Sequence, residues 1–167
     1  MLSLPTDERL YRLDTEFADH VSQLHPQLIK LLACVPFFYS DLPSSLPTDV
    51  VYLFSDGDAP FYVGRSRKFR QRIGNHCNPS SAVNQSSTAY KMACETVNYT
   101  PIPYAKGSSA KDNIVSIAGL ADAFSEAKRR LSAMHIRYVE ERDPVRQALL
   151  EIYCAVALKT RNSWKTS

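Results

Sequence analysis

Glycine is scarce in this 167-residue chain, with 5 residues, and tryptophan occurs only once. So little glycine excludes collagen-like and glycine-rich low-complexity architectures. No apolar run approaches the ~20 residues that a membrane-spanning helix needs. The opening MLSLPTDERLYRL carries acids early and lacks an apolar signal core, so secretion is not expected. Cys34, Cys77, Cys94 and Cys154 lack the paired spacing of zinc ribbons and disulfide scaffolds, and they read as reduced thiols of a cytoplasmic protein. A zinc site begun by His76 and Cys77 is a poor prospect, because adjacent side chains diverge on a helix. The most informative absence is of one sign of charge. Between Ala59 and Cys94 there is no Asp or Glu, against six Lys or Arg. The net charge of +3 conceals this, because the remaining 14 basic residues face all 17 acidic ones. A second acid-free stretch follows Glu151 and carries Lys159, Arg161 and Lys165. One basic helix is by default a solvated face. Two acid-free basic segments that converge point instead to a polyanionic partner.

What is present is concentrated in VVYLFSDGDAPFYVGRSRKFRQRIGNH, residues 50–76. Val50–Phe54 and Phe61–Gly64 are rich in the β-branched and aromatic residues that suit strands. Ser55–Pro60 joins them and contains Asp56-Gly57, a strong hairpin signal between two such runs. A basic helix follows, with Arg65, Arg67, Lys68, Arg70 and Arg72 in quick succession and Phe69 and Ile73 four residues apart on one face. Neighbouring strands can bring the Tyr52 and Tyr62 phenols together. Arg72 and His76, also four apart, stack on one side of the helix.

Elsewhere the pattern is mainly helical. Residues 6–24 repeat Leu10, Leu13, Phe17, Val21 and Leu24 at helical steps, and His25-Pro26 is expected to end that helix and open a second. Residues 36–49 read as a loop. A polar stretch from Asn78 to Thr88 precedes a helix around Ala89–Val97, and Tyr99–Asp112 reads as irregular. Ala121–Ala133 is an expected helix and Met134–Glu140 a third strand. Asp143-Pro144 is a strong helix start. The helix it opens runs to Leu158, with apolar residues around most of its circumference, so it is expected to be largely buried. Glu151 is its only acid. An isolated carboxylate in such a helix needs a partner, either a structural arginine or a metal ion. Taken singly, Tyr52 and Tyr62 are sheet-packing aromatics, His76 a helix C-terminal histidine and Asn162 a helix-end or turn residue.

Taken together, these residues resemble the GIY-YIG nuclease family, whose signature is two tyrosine triplets on a hairpin followed by a helix bearing an arginine. The triplets are Val50-Val51-Tyr52, with valine in place of the family's first glycine, and Tyr62-Val63-Gly64. The arginine falls on Arg72, ten residues after Tyr62, and the following His or Tyr on His76. The resemblance further implies that Glu151, on the helix after the third strand, binds metal, and that Asn162 is the asparagine that follows. It covers residues 50–76 and 134–164. It implies phosphodiester hydrolysis with a single Mg²⁺ or Mn²⁺ ion on Glu151, Arg72 neutralising phosphoryl charge, and Tyr52 contacting the attacking water with Tyr62 and His76 assisting. A phenol with pKa near ~10 is a weak base at neutral pH, so either Tyr52 or His76 remains a candidate to take the proton.

The expected fold is therefore α+β, a small three-stranded, mainly antiparallel sheet flanked by helices. A single domain of residues 1–167 would comprise an N-terminal helical extension (1–49), a catalytic core (50–76 and 134–164) and an insertion (77–133). The expected function is a divalent-metal-dependent endonuclease acting on nucleic acid, DNA above all, with Arg65, Arg67, Lys68, Arg70 and Asn162 contacting it. The alternative is a non-catalytic nucleic-acid-binding module that keeps the fold. No separate zinc-finger or helix-turn-helix targeting module is visible in the sequence, so selectivity is expected to come from the 77–133 insertion, the N-terminal helices, a homodimer or a targeting partner protein.

Overall fold

The hairpin forms where the β-branched and aromatic runs place it, as β1 (Val50–Asp56) and β2 (Ala59–Ser66). A computed structural model describes residues 7–101 and 109–161. In order, the chain forms α1 (Asp7–Ala33), β1, β2, α2 (Phe69–Cys77), α3 (Ser87–Thr96), α4 (Ala110–Ser116), α5 (Leu120–Ser132), β3 (His135–Glu140) and α6 (Pro144–Ala157). The strands make one antiparallel sheet in the order β2-β1-β3, so the α+β class expected from the sequence is the observed one. The connection expected over Ser55–Pro60 contracts to Gly57-Asp58. Gly57 has φ +60°, a conformation glycine adopts without a Cβ penalty. A register shift after Phe54 absorbs one residue, and Pro60 sits on β2, an edge strand that tolerates a missing N–H.

The described residues divide into two compact units, residues 7–36, 47–67 and 137–161 in the first and residues 37–46, 68–101 and 109–136 in the second. The core of the first unit joins Leu24, Leu28 and Leu31 of α1 to Val51, Leu53 and Val63 of the hairpin, Val139 of β3, and Leu150, Cys154 and Ala155 of α6. This core corrects one expectation. The helix predicted to end at His25-Pro26 continues through the proline as a single 27-residue helix. Proline inside a helix costs about 3 kcal/mol, but Leu24, Leu28 and Leu31 form one stripe across it, and burying three leucines outweighs that cost. α6 begins as predicted. The Asp143 carboxylate accepts the Arg146 N–H at 2.7 Å, and proline occupies the first turn. Its burial is one-sided, however. Leu150, Cys154 and Ala155 are buried, whereas Val145, Ile152 and Val156 are about half exposed, because the sheet and α1 cover only one face.

The corner between β3 and α6 is held by Glu141, which the sequence pattern does not single out. Its carboxylate is buried and accepts from Arg146 Nε at 2.7 Å, Arg146 Nη2 at 3.1 Å, Gln27 Nε2 at 3.0 Å and the Asp143 N–H at 3.0 Å. Burial by itself would raise the Glu141 pKa. The donors from Arg146, Gln27 and Asp143 outweigh it, and the net shift is downward.

In the second unit, α3 packs on α5, as do α2 and α4. The helix expected around Ala89 starts at Ser87, where the Ser86 hydroxyl accepts the Ala89 N–H. α4 falls partly within the stretch expected to be irregular. Its Ser109 hydroxyl accepts the Asp112 N–H at 3.2 Å, a serine cap followed by an acid in the first turn. Lys128 of α5 is buried, and its ammonium donates to the Asn75 carbonyl at 2.9 Å, the Asn78 carbonyl at 3.0 Å and the Ser81 hydroxyl. It thus sets a cation at the C-terminal end of α2, where helix carbonyls carry partial negative charge. Among the described residues no helix is long and apolar enough to cross a membrane.

Candidate nucleic-acid and metal site

Strand register decides which hairpin residues share a face. Tyr52 pairs with Gly64 and Phe54 with Tyr62, so these four belong to one alternating set. The Tyr52 and Tyr62 ring centroids lie 6.2 Å apart with planes inclined at 54°, so the two phenols are neighbours, as their strand positions suggest. Tyr52 is 0% exposed and Tyr62 is half-buried. The glycine that closes the second triplet makes room for this arrangement. A Cβ on Gly64 would fall on the Tyr52 hydroxyl and its ring carbon. Gly64 is not among the glycines with positive φ, so space and not backbone conformation requires it. Replacing glycine in a strand by alanine would otherwise gain roughly 0.5–1 kcal/mol. Here overpacking wins, and Gly64→Ala is expected to lower stability in urea unfolding by about 1–3 kcal/mol. A gain in stability would show that the Tyr52 ring moves aside freely.

The other alternating set holds Val51, Leu53 and Val63, which face α1 and α6, and Arg65, which pairs with Val51. Arg65 Nε donates to Glu151 Oε2 of α6 at 3.0 Å, with the two side chains 45% and 22% exposed. Positions 86 residues apart therefore meet at the second triplet's strand. One turn before Glu151, the buried Gln147 amide donates to the Val50 carbonyl at 3.3 Å and the Ser66 carbonyl at 3.1 Å, fastening α6 to the open end of the hairpin. Past the end of α6, the Arg161 N–H donates to the Phe61 carbonyl at 2.9 Å, and its guanidinium carbon lies 5.6 Å from the Phe61 ring centroid. Arg67 is exposed at the end of β2. Within this unit the structure thus forms two pairs, Tyr52 with Tyr62 and Arg65 with Glu151, on opposite alternating sets of the hairpin. Asn162 lies outside the described residues.

The second unit carries the rest of the predicted residues. Lys68 is exposed just before α2. The Arg70 guanidinium donates to the Ser44 carbonyl at 2.9 Å and to the Pro43 carbonyl, so it braces the loop over residues 42–46. Arg72 is half-buried, with Nη1 3.5 Å from the Gln85 carbonyl. His76 is 0% exposed, and its Nδ1 lies 3.2 Å from the Ser86 hydroxyl that caps α3. Burial, followed by the positive charges of Arg72 and Lys128, lowers its pKa from 6.5 to about 3. The neighbouring Cys77 thiol is pushed up to about 12, chiefly by burial, which leaves it unreactive.

A neutral buried imidazole has a consequence for stability against pH. Between the folded value near 3 and the unfolded value near 6.5, only the unfolded chain binds the proton, so stability falls as pH falls through that window. From pH 7 to pH 4 the loss is expected to be on the order of 3 kcal/mol. Urea unfolding at pH 7, 5.5 and 4 would measure it, and His76→Gln should flatten the slope. An unchanged slope in the variant would assign the acid sensitivity to other groups.

Glu151 offers a partly exposed carboxylate that is already paired with Arg65. Among the described residues, no three His, Cys, Asp or Glu side chains gather as a metal cage. A single carboxylate suits Mg²⁺, which keeps several waters and fills its shell with substrate phosphate oxygens. Sequence reasoning missed Gln147, Glu141 and Lys128. Each is a polar residue whose partners lie across a corner or in another element, and local periodicity carries no signal for such contacts. No family model, no curated protein and no solved structure matches the chain.

Proposed function

We propose that this protein is a divalent-metal-dependent endonuclease of the GIY-YIG type that hydrolyses phosphodiester bonds in nucleic acid, with DNA as the first substrate to test. The observation that supports it most is the pairing of the Tyr52 and Tyr62 rings, with centroids 6.2 Å apart, that the resemblance expects of the hairpin. Glu151 meets the opposite alternating set, with Arg65 as its partner at 3.0 Å, the structural pairing that the sequence also allows. Glu151 is the proposed ligand of one Mg²⁺ or Mn²⁺ ion. Bound there, the ion would act as a Lewis acid on the leaving 3′ oxygen. Arg65 and, by the resemblance, Arg72 neutralise charge on the phosphoryl oxygens, a task suited to a planar guanidinium. Arg67, Lys68 and Arg70 contribute to backbone binding, and Asn162 keeps the position that the resemblance gives it. Tyr62 is the more accessible phenol, and the buried Tyr52 ring backs it. With a pKa of about 3, His76 is too weak a base to take a proton at pH 7, which argues against it as the general base.

A second reading is favoured by the complete burial of Tyr52 and His76: a nucleic-acid-binding module that retains the fold without cutting. Incubation of the purified chain with supercoiled plasmid and with branched DNA, in Mg²⁺, in Mn²⁺ and in EDTA, separates the two. Nicking or resolution that EDTA stops and added metal restores supports the nuclease. Retention of DNA with no strand broken under any of these conditions supports the module.

A further inference from the structure

α6 keeps one face off the core. Val145, Leu149, Ile152 and Val156 follow one another at steps of four, three and four residues, which sets them in a single stripe along the helix. Val145, Ile152 and Val156 are 52%, 49% and 57% exposed, whereas Leu150 and Cys154 on the far side are fully buried. Leu149 is half-buried against the core. α1 extends this face. His25 Nδ1 lies 3.0 Å from the Tyr153 hydroxyl, and Val21 and Ile29, one turn before and after His25, are also about half exposed. A single aliphatic side chain in water is ordinary, but a stripe of them on adjacent helices marks an interaction surface. No charge interrupts the stripe. The two charged residues of α6 turn elsewhere, Arg146 to Glu141 and Glu151 to Arg65.

We propose that this stripe is a homodimer seam, in which α6 of one copy packs antiparallel against α6 of a second. The occupant follows from the order of the residues. Steps of four, three and four read the same in both directions. A twofold axis between Leu149 and Ile152 therefore sets Val145 against Val156 of the second copy and Leu149 against its Ile152. Valine meets valine at the ends, and the larger pair fills the centre. Charge agrees with that direction. The corner before α6 and its first turn hold Glu140, Glu141 and Asp143 against Arg142 and Arg146, and the segment after the helix holds Lys159 and Arg161 with no acid. Antiparallel packing lays the net negative end of each helix beside the net positive end of the other, whereas parallel packing joins like ends. Two helices about 10 Å apart, open over the ~16 Å from Val145 to Val156, offer on the order of 500 Å² from each copy, under the ~800 Å² of a standard interface. An area of that size suits a reversible dimer with a dissociation constant on the order of 10 µM, not an obligate one. The inference stands apart from the nuclease reading, since no residue of the stripe is assigned to metal or phosphate.

Sedimentation velocity of the full chain from about 1 to about 200 µM is expected to show a monomer passing to a dimer. Ile152→Glu is expected to raise the dissociation constant roughly 10²-fold or more, because the twofold puts two unpaired carboxylates into an apolar seam. Well below the dimerisation midpoint, wild type and Ile152→Glu should melt at the same temperature, since the side chain faces solvent in a monomer. The register is tested separately by the double variant Val145→Cys with Val156→Cys. These positions lie about 16 Å apart in one chain, too far for a disulfide within it, and oppose each other across the twofold. Mild oxidation should therefore link two copies, while either cysteine alone, and the wild type with its part-exposed Cys34, should give no such link. If Ile152→Glu fails to fold, the cysteine pair decides. A monomer at every concentration overturns the seam and leaves the face to a different protein. A dimer that Ile152→Glu does not weaken, or that the cysteine pair does not lock, overturns it too by placing the contact elsewhere.

Discussion

On the proposed nuclease reading, Glu151→Gln is expected to lower metal-dependent strand cleavage by roughly 10²–10³-fold or more, while leaving DNA retention within about twofold of wild type. The substitution keeps the shape of the side chain and removes the charge. An uncharged amide is a far poorer ligand for Mg²⁺, so the proposed ion and the stabilisation it would give the leaving oxygen would be lost together. Stability should change little. The Arg65 partner is half exposed, and ion pairs of that kind contribute about 0–1 kcal/mol. Released from Glu151, Arg65 remains available to phosphate, so binding survives. Rate and affinity must therefore be measured on the same preparation, with nicked plasmid quantified over time and retention followed by mobility shift. Cutting at the wild-type rate by the variant would reduce Glu151 to a structural partner of Arg65.

The contrast between what was legible and what was not follows from the range of the forces involved. Tyr52, Tyr62 and Gly57 could be placed because a hairpin is a local object whose runs, turn residue and alternation lie within seventeen residues of sequence. The start of α6 was equally plain, since Asp143 and Pro144 are a cap and a first-turn residue in sequence order. The continuous α1 was not, because the local rule for Pro26 is correct and is overruled by Leu24, Leu28 and Leu31 packing on a sheet that lies later in the chain. The same limit applies to the candidate site. The partner of Glu151 could be named as an arginine or a metal but not chosen, because the choice depends on α6 meeting β2. Burial was the least legible property. Nothing in the spacing of Arg72 and His76 indicates that the imidazole is buried beside the Ser86 hydroxyl and held neutral by that burial and by the charges of Arg72 and Lys128.

The corner at Glu141 yields the largest expected effect on stability. Removing one partner of a buried, hydrogen-bonded ion pair costs about 3–5 kcal/mol, because the other charge loses its compensation. In Glu141→Ala the Arg146 guanidinium and the Asp143 N–H lose their acceptor at once and the Gln27 amide is left with the Glu140 carbonyl alone, so the upper part of that range is expected. For a chain of this length the melting temperature should fall on the order of 10 °C. Glu141→Gln keeps one acceptor oxygen and should lose less, about 1–2 kcal/mol. The double variant Glu141→Leu with Arg146→Leu removes both charges and should recover part of the loss of the single alanine variant, though the Asp143 N–H would still lack its acceptor while the Gln27 amide keeps the Glu140 carbonyl at 3.3 Å. The sign of the pH dependence follows from the depressed carboxyl pKa. The contribution is complete above the unfolded value near 4.5 and disappears as pH falls through the lower folded value, beneath most of the window in which His76 acts. Glu141 also fixes the angle at which α6 leaves β3, and Glu151 lies two turns along that helix. Glu141→Gln is accordingly expected to reduce cleavage by more than its loss of folded protein explains at a temperature where the chain is fully folded. A variant that is destabilised yet cuts at the wild-type rate would show that Gln147 alone holds Glu151 in place.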